Sequence, residues 1–208
     1  MRTKRRRFPN ALPPRLRRFL AGEQGVTAIE FALVLPIVVT ILLGCFEVPR
    51  YVMVFQKIAR TSSGVSDLVA QADEPLTKNQ MNDIFTAGKI MMQPYDVVAN
   101  GRIYVSSINN PSGGGVTLTW QRNNAGLVTT ASKLGLAGSN PTAKIPATLV
   151  PASNEEVLAA EVFFNYTPVF ASLIYSGSEL YMISYTRPRN KNLNTAPPLT
   201  CPAGVAQC

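Results

Sequence analysis

Apolar residues are spread unevenly along this chain. From Phe31 to Phe46 the sequence FALVLPIVVTILLGCF holds 16 residues without a charge, bracketed by Glu30 and Glu47. Widened to 26–48 the stretch has 23 residues. As a helix it would reach about 35 Å at about 1.5 Å per residue, against a bilayer hydrocarbon core of about 30 Å. The pattern predicts a membrane-spanning helix. Beyond it, apolar residues recur at Tyr51, Phe55, Ile58, Val65 and Val69, spacings of three, four or seven that line one side of a continuing helix. Pro36 and Pro49 each remove a backbone donor, so kinks or frayed turns are expected near both.

Pro75 should end that helix, and Thr77-x-x-Gln80 opens another with a capping box. Met81, Ile84, Phe85, Gly88, Met91 and Met92 then follow an amphipathic helical repeat until Pro94. From residue 102 the period changes to two. Arg102–Ile108 reads as a strand, Pro111–Gly115 as a turn, and Val116, Leu118 and Trp120 as one face of a second strand. Residues 123–154 are rich in Gly, Ala, Ser, Thr, Asn and Pro and predict a long loop. Val157–Tyr166 is apolar on nearly both sides, as a central strand must be. A last strand runs from about Ser178 to Arg187, with Tyr181, Ile183 and Tyr185 on one side.

Charge adds an orientation. The 208 residues include 20 Lys and Arg against 12 Asp and Glu, for a net +8. Eight of the basic residues precede the first acid, Glu23, which leaves 12 against 12 in the remainder. Basic residues beside a spanning run stay in the cytoplasm, so residues 1–25 are expected inside and the C-terminal body outside. Topology is the commoner use of such a cluster, and nucleic acid is not expected as a partner. Prolines at 9, 13 and 14 argue against a long helix in this leader.

Composition narrows the chemistry. There is no histidine, which removes Ser-His-Asp and Cys-His nucleophile pairs and His-ligated zinc. Cys45, Cys201 and Cys208 lack the paired spacing of a thiolate zinc site. No cofactor, metal or catalytic residue is expected. A two-carboxylate envelope hydrolase remains allowed by composition. Glu161 lies inside the apolar strand, and a structural ion pair with Arg187 or Arg189 is expected of it. Glu155 and Glu156 read as a solvated strand edge. Cys201 and Cys208 are candidates for a disulfide in an oxidising compartment.

Four processing readings compete at the N-terminus. A secretory signal lacks a small-x-small cleavage site after its apolar core, and Arg17-Arg18-Phe19-Leu20 lacks the spacer of a twin-arginine signal. Leu42-Leu43-Gly44-Cys45 looks like a lipobox, which would make the chain a lipoprotein or anchored binding module acylated at Cys45. The fourth reading rests on QGVTAIEFALVLP, where Gly25 ends the basic leader and Glu30-Phe31 follow after four residues. This order resembles the site of a prepilin peptidase, which cuts after the glycine, here between Gly25 and Val26.

With Gly44, Glu47, Arg50, the stretch EVLAAEVFFNYTPVF and Tyr185–Arg189, the sequence over about residues 20–190 resembles the TadE-like family, pilin-like proteins of the tight-adherence (Flp) pilus machinery. The resemblance implies that Glu30 pairs with the new amine of Val26, often on a neighbouring subunit, with Phe31 beside it. Thr27-x-x-Glu30 is also a capping box, with Thr27 as the helix cap.

The expected architecture is α+β and pilin-like: a long N-terminal transmembrane helix, an amphipathic helix, then a mainly antiparallel sheet. Its parts are a cytoplasmic leader (1–25), the spanning and continuing helix (26–72), an extracytoplasmic α+β domain (73–190) and a tail (191–208). The resemblance implies a bacterial inner-membrane minor pilin or pseudopilin, with the lipid bilayer, a prepilin peptidase, other pilin-like subunits and the pilus assembly machinery as partners.

Overall fold

The computed structural model describes residues 24–72, 76–111, 115–170 and 177–189. The basic leader up to Glu23 and the candidate disulfide Cys201–Cys208 lie outside the described residues. Helix α1 runs Gln24–Ala70, α2 Lys78–Met92 and the short α3 Val97–Asn100. Strands follow at β1 Gly101–Asn109, β2 Thr117–Asn123, β3 Glu156–Tyr166 and β4 Ser178–Thr186. They form one antiparallel sheet in the order β2-β1-β3-β4. The expected α+β class, a long apolar N-terminal helix before an antiparallel sheet, is the class found.

The chain divides into two compact units between Phe46 and Glu47. The described part of the first, 24–46, is helical throughout, and it includes Pro36. Its large apolar side chains, Val26, Ile29, Phe31, Leu33, Ile37 and Ile41 among them, are exposed. α1 is long and apolar enough to cross a membrane. Among the described residues α1 runs unbroken through Pro36 and Pro49, near which kinks or frayed turns were expected.

In the second unit one face of the sheet carries the helices. Val54, Ile58, Val65 and Val69 of α1 and Met81, Ile84, Phe85 and Met92 of α2 pack against Ile103, Val105, Leu158, Ala160, Val162 and Phe164. Ile58, Val65 and Val69 of the expected stripe are buried, but Tyr51 and Phe55 are exposed, Phe55 by 41 %, and Val54 is the residue that enters the core at that level. The contact is made by small residues that hydropathy counts as polar. Ser62 Oγ donates to the Ala160 carbonyl at 2.8 Å, and the hydroxyls of Ser66 and Thr186 bond each other. Short side chains that satisfy their own polar atoms let a helix lie close to a strand.

α2 begins as its sequence signals. Thr77 accepts from the Gln80 amide, and the Gln80 side chain accepts from the Thr77 amide. Met91, expected in the core, is part-exposed. The C-terminal end of α2 is tied back by Lys57, whose ammonium reaches the carbonyls of Met91 and Gln93. The Arg189 amide donates to the Ala70 carbonyl at 3.1 Å, satisfying one of the free acceptors that every helix end leaves.

The opposite face of the sheet is covered by the long loop. Leu134 and Ile145 pack with Ile108, Val116, Leu118 and Ala159. The loop backbone accepts from Arg102 at Val128 (2.7 Å) and from the Tyr104 hydroxyl at Thr130 (2.7 Å). Gly138 and Ser139 pair with Leu118 along the outer edge of β2. A β-bulge corrects the expected strand face. Ser107 stands opposite Trp120 but Ile108 opposite Leu118, which leaves Thr119 as the extra residue. The bulge puts Trp120 in the helix-side core and Leu118 in the loop-side core, as an inserted residue must.

Candidate processing and assembly site

The first two turns of α1 carry Gly25, Val26, Thr27, Glu30 and Phe31. Val26 and Glu30 are separated by one helical turn, on the same side, with Cβ atoms at such spacing about 5–6 Å apart. Both are exposed, as are Ile29 and Phe31. A carboxylate on a helix that is otherwise apolar needs a partner in lipid, and an amine created at Val26 would stand within one turn of it. Thr27 is not the cap of this helix in the uncut chain. The described helix already includes Gln24, three residues earlier, so Thr27 is an interior position of it.

At the far end of the uncharged run, Glu47 is held by three donors. Its Oε1 accepts from the Tyr166 hydroxyl. Its Oε2 accepts from the amides of Val169 at 3.1 Å and Phe170 at 3.2 Å. The Tyr51 ring stands edge-on to Tyr166, with centroids 5.4 Å apart. Burial, with the Glu47 carboxylate beside it, pushes the Tyr166 hydroxyl up to about 12. Tyr166 therefore remains a donor across the physiological range. The signal for this cluster was present but unread: an acid directly after a spanning run must find donors where water is scarce.

Glu161 is fully buried, and it does not form the expected ion pair. Its carboxylate accepts from the Ser132 hydroxyl, from the Lys133 amide at 3.0 Å and from the Tyr181 hydroxyl at 3.0 Å. Burial, then the nearby Glu161, pushes the Tyr181 hydroxyl strongly upward. The Lys133 ammonium lies 3.8 Å from the Tyr181 ring centroid.

Register explains the difference. Glu161 stands opposite Ile183, with Tyr181 one pair away on the same face, while Arg187 is four residues along, about 13 Å at about 3.3 Å per residue. Arg187 pairs instead with Glu155 at 3.4 Å, in an exposed position. Arg189 uses its backbone at the end of α1. Glu156, expected at a solvated edge, is buried and accepts from the Ser107 hydroxyl. Desolvation raises its pKa, partly offset by that bond.

Cys45 is an exposed free thiol inside α1. Among the described residues no three His, Cys, Asp or Glu side chains are grouped to hold a metal ion.

Residues 25–64 match the family model described as TadE-like protein. The match begins at Gly25, takes in Glu30, Phe31, Gly44, Glu47 and Arg50, and is shorter than the 20–190 over which the sequence resembles that family. No curated protein and no solved structure matches the chain significantly.

Proposed function

We propose that this chain, whose residues 25–64 are a TadE-like segment, is a membrane-anchored minor pilin or pseudopilin of a tight-adherence pilus system. A prepilin peptidase cuts it after Gly25 on the cytoplasmic side of the bacterial inner membrane. The body beyond α1 lies outside, and other pilin-like subunits and the assembly machinery draw the anchored chain into a pilus or its base. The role is assembly and not catalysis.

The observation that carries this reading is that the matched segment contains the whole exposed apolar half of α1 from Gly25 on, with Glu30 one turn beyond Val26. Helices in lipid associate by packing and by satisfying polar groups. Glu30 supplies the polar group, and a new amine on Val26 supplies its counter-charge. Pairing between neighbours then couples subunit register to charge neutralisation.

The mass of the mature N-terminus tests the reading. A chain purified from its native membrane should begin at Val26. Retention of Met1 in assembled fibres overturns the proposal, and a lipidated N-terminal Cys45 replaces it with the lipoprotein reading. That alternative would sever α1 and discard Gly25–Gly44, half of the matched segment.

A further inference from the structure

We propose that Val169 and Phe170, after the end of β3, form a second membrane contact, seated in the interfacial layer of the bilayer that α1 crosses. The inference rests on the reading of α1 as a span. Val169 is 52 % and Phe170 46 % exposed. Exposure alone would not place them, but their amides do, because both donate to Oε2 of Glu47. Glu47 is the residue directly after the uncharged run that closes at Phe46, one helical rise of about 1.5 Å beyond it. The pair is thus pinned at the level where the hydrocarbon core gives way to headgroups.

The surroundings have interfacial chemistry. Each interfacial layer is about 5–7 Å deep, and Tyr51, one turn beyond Glu47, falls within it. Tyr51 and Tyr166 meet edge-on beside the Glu47 carboxylate, and tyrosine is enriched where an apolar ring and a polar tip must both be served. Arg50 lies in the next turn of α1, long enough to reach headgroup phosphates. From Tyr166 to Ser178 the sequence carries no charge, so nothing in this connection opposes apolar contact. Glu47 has its charge satisfied by three protein donors and does not require a cation from solution. A helix and a second contact beside it would fix the rotation of α1 about its own axis, which a lone span leaves free.

The test uses the full chain in lipid nanodiscs, with Phe170→Trp as a reporter. Trp120, the single native tryptophan, is buried in the body and serves as an internal reference. Emission from position 170 should be quenched by lipid brominated high on the acyl chain and protected from aqueous iodide. Leu127→Trp, at an exposed loop position, should behave oppositely. Val169→Trp repeats the measurement should Phe170→Trp not fold. An inserted chain whose reporter is open to iodide and blind to brominated lipid overturns the inference. So does protection that vanishes as protein is diluted into excess lipid, since a second protein would then be the partner. A chain that does not insert at all defeats the spanning reading itself, a result that vesicle flotation distinguishes.

Discussion

Tyr166, the last residue of β3, donates its hydroxyl hydrogen bond to Glu47 of α1, a partner 119 residues earlier in the chain. The same carboxylate takes the two amides at Val169 and Phe170. One side chain of the helix therefore holds both the end of the central strand and the turn that follows. Glu47→Ala should release the Val169 and Phe170 amides to rapid hydrogen exchange. Tyr166→Phe, which leaves Oε2 untouched, should keep them protected. Equal exchange in the two variants would show that the carboxylate does not organise this turn.

Glu161 anchors the long loop to the sheet. Glu161→Ala leaves the Ser132 hydroxyl, the Lys133 amide and the Tyr181 hydroxyl, all part-buried, without their acceptor. The expected loss is at least about 1–3 kcal/mol, the cost of one fully buried donor left unpaired, because water can reach part of this three-donor set. Glu161→Gln keeps one acceptor oxygen and should lose less. Thermal unfolding of the full chain in detergent checks the order, and limited proteolysis should cut the loop around residues 124–154 first in the alanine variant.

Glu156 gives the stability of the body a specific pH dependence. Its folded pKa lies above the ordinary carboxylate value of 4.5 because burial disfavours its charge. The folded state consequently binds this proton more tightly than the unfolded chain does. The stabilisation is fully present below pH 4.5 and is lost as pH rises through the raised folded value. Glu156→Gln, which never ionises, should remove this component, gaining on the wild type as pH increases from 4.5 toward 7. Parallel melting curves over that window would refute the assignment.

Two glycines at helix contacts should respond in opposite directions. A Cβ at Gly88 would lie 2.9 Å from Ile103 Cδ1 and 3.0 Å from Val65 Cγ2, both fixed in the core. At Gly64 it would meet only the end of Met91, a flexible and part-exposed side chain. Alanine gains about 1 kcal/mol of helix propensity over glycine. Gly64→Ala should be neutral or stabilising, because Met91 swings aside. Gly88→Ala should be destabilising by up to about 2 kcal/mol, overpacking of about 1–3 kcal/mol less the helix-propensity gain. Denaturant midpoints of the two variants decide the matter.

Glu30→Ala should leave membrane insertion intact, since it makes α1 more apolar, and should impair assembly if the carboxylate pairs with the Val26 amine. Normal piliation in that variant would reject the pairing. Replacing Gly25 by a bulky residue should block maturation instead, seen as retention of the basic leader by mass.

The elements themselves were legible in the order of the residues. The uncharged run from Phe31, the capping box at Thr77 and Gln80, and the two-sided apolar Val157–Tyr166 each state a period or a boundary that neighbours along the chain enforce. Hence α1, α2 and the central place of β3 could be read directly. The faces and partners could not. Val54 is buried where Phe55 was expected, and Ser62 and Ser66 join the buried face through hydroxyl bonds to the sheet, which a hydropathy pattern does not register.

Trp120 and Leu118 part company at a bulge defined only by pairing with β1, and alternation within β2 contains no sign of it. Glu161 escapes its expected cation because register sets Tyr181 beside it and a loop of weak pattern closes over it. Gly25 to Phe31 lie on the first described turns of a helix, with Thr27 inside it and not at its cap. Glu47 was different: its role needed a strand end 119 residues away to arrive at its side. Local periodicity belongs to the chain, but the donor that meets a given carboxylate is decided only when distant segments pack, because hydrogen bonds depend on positions in space and not on order along the backbone.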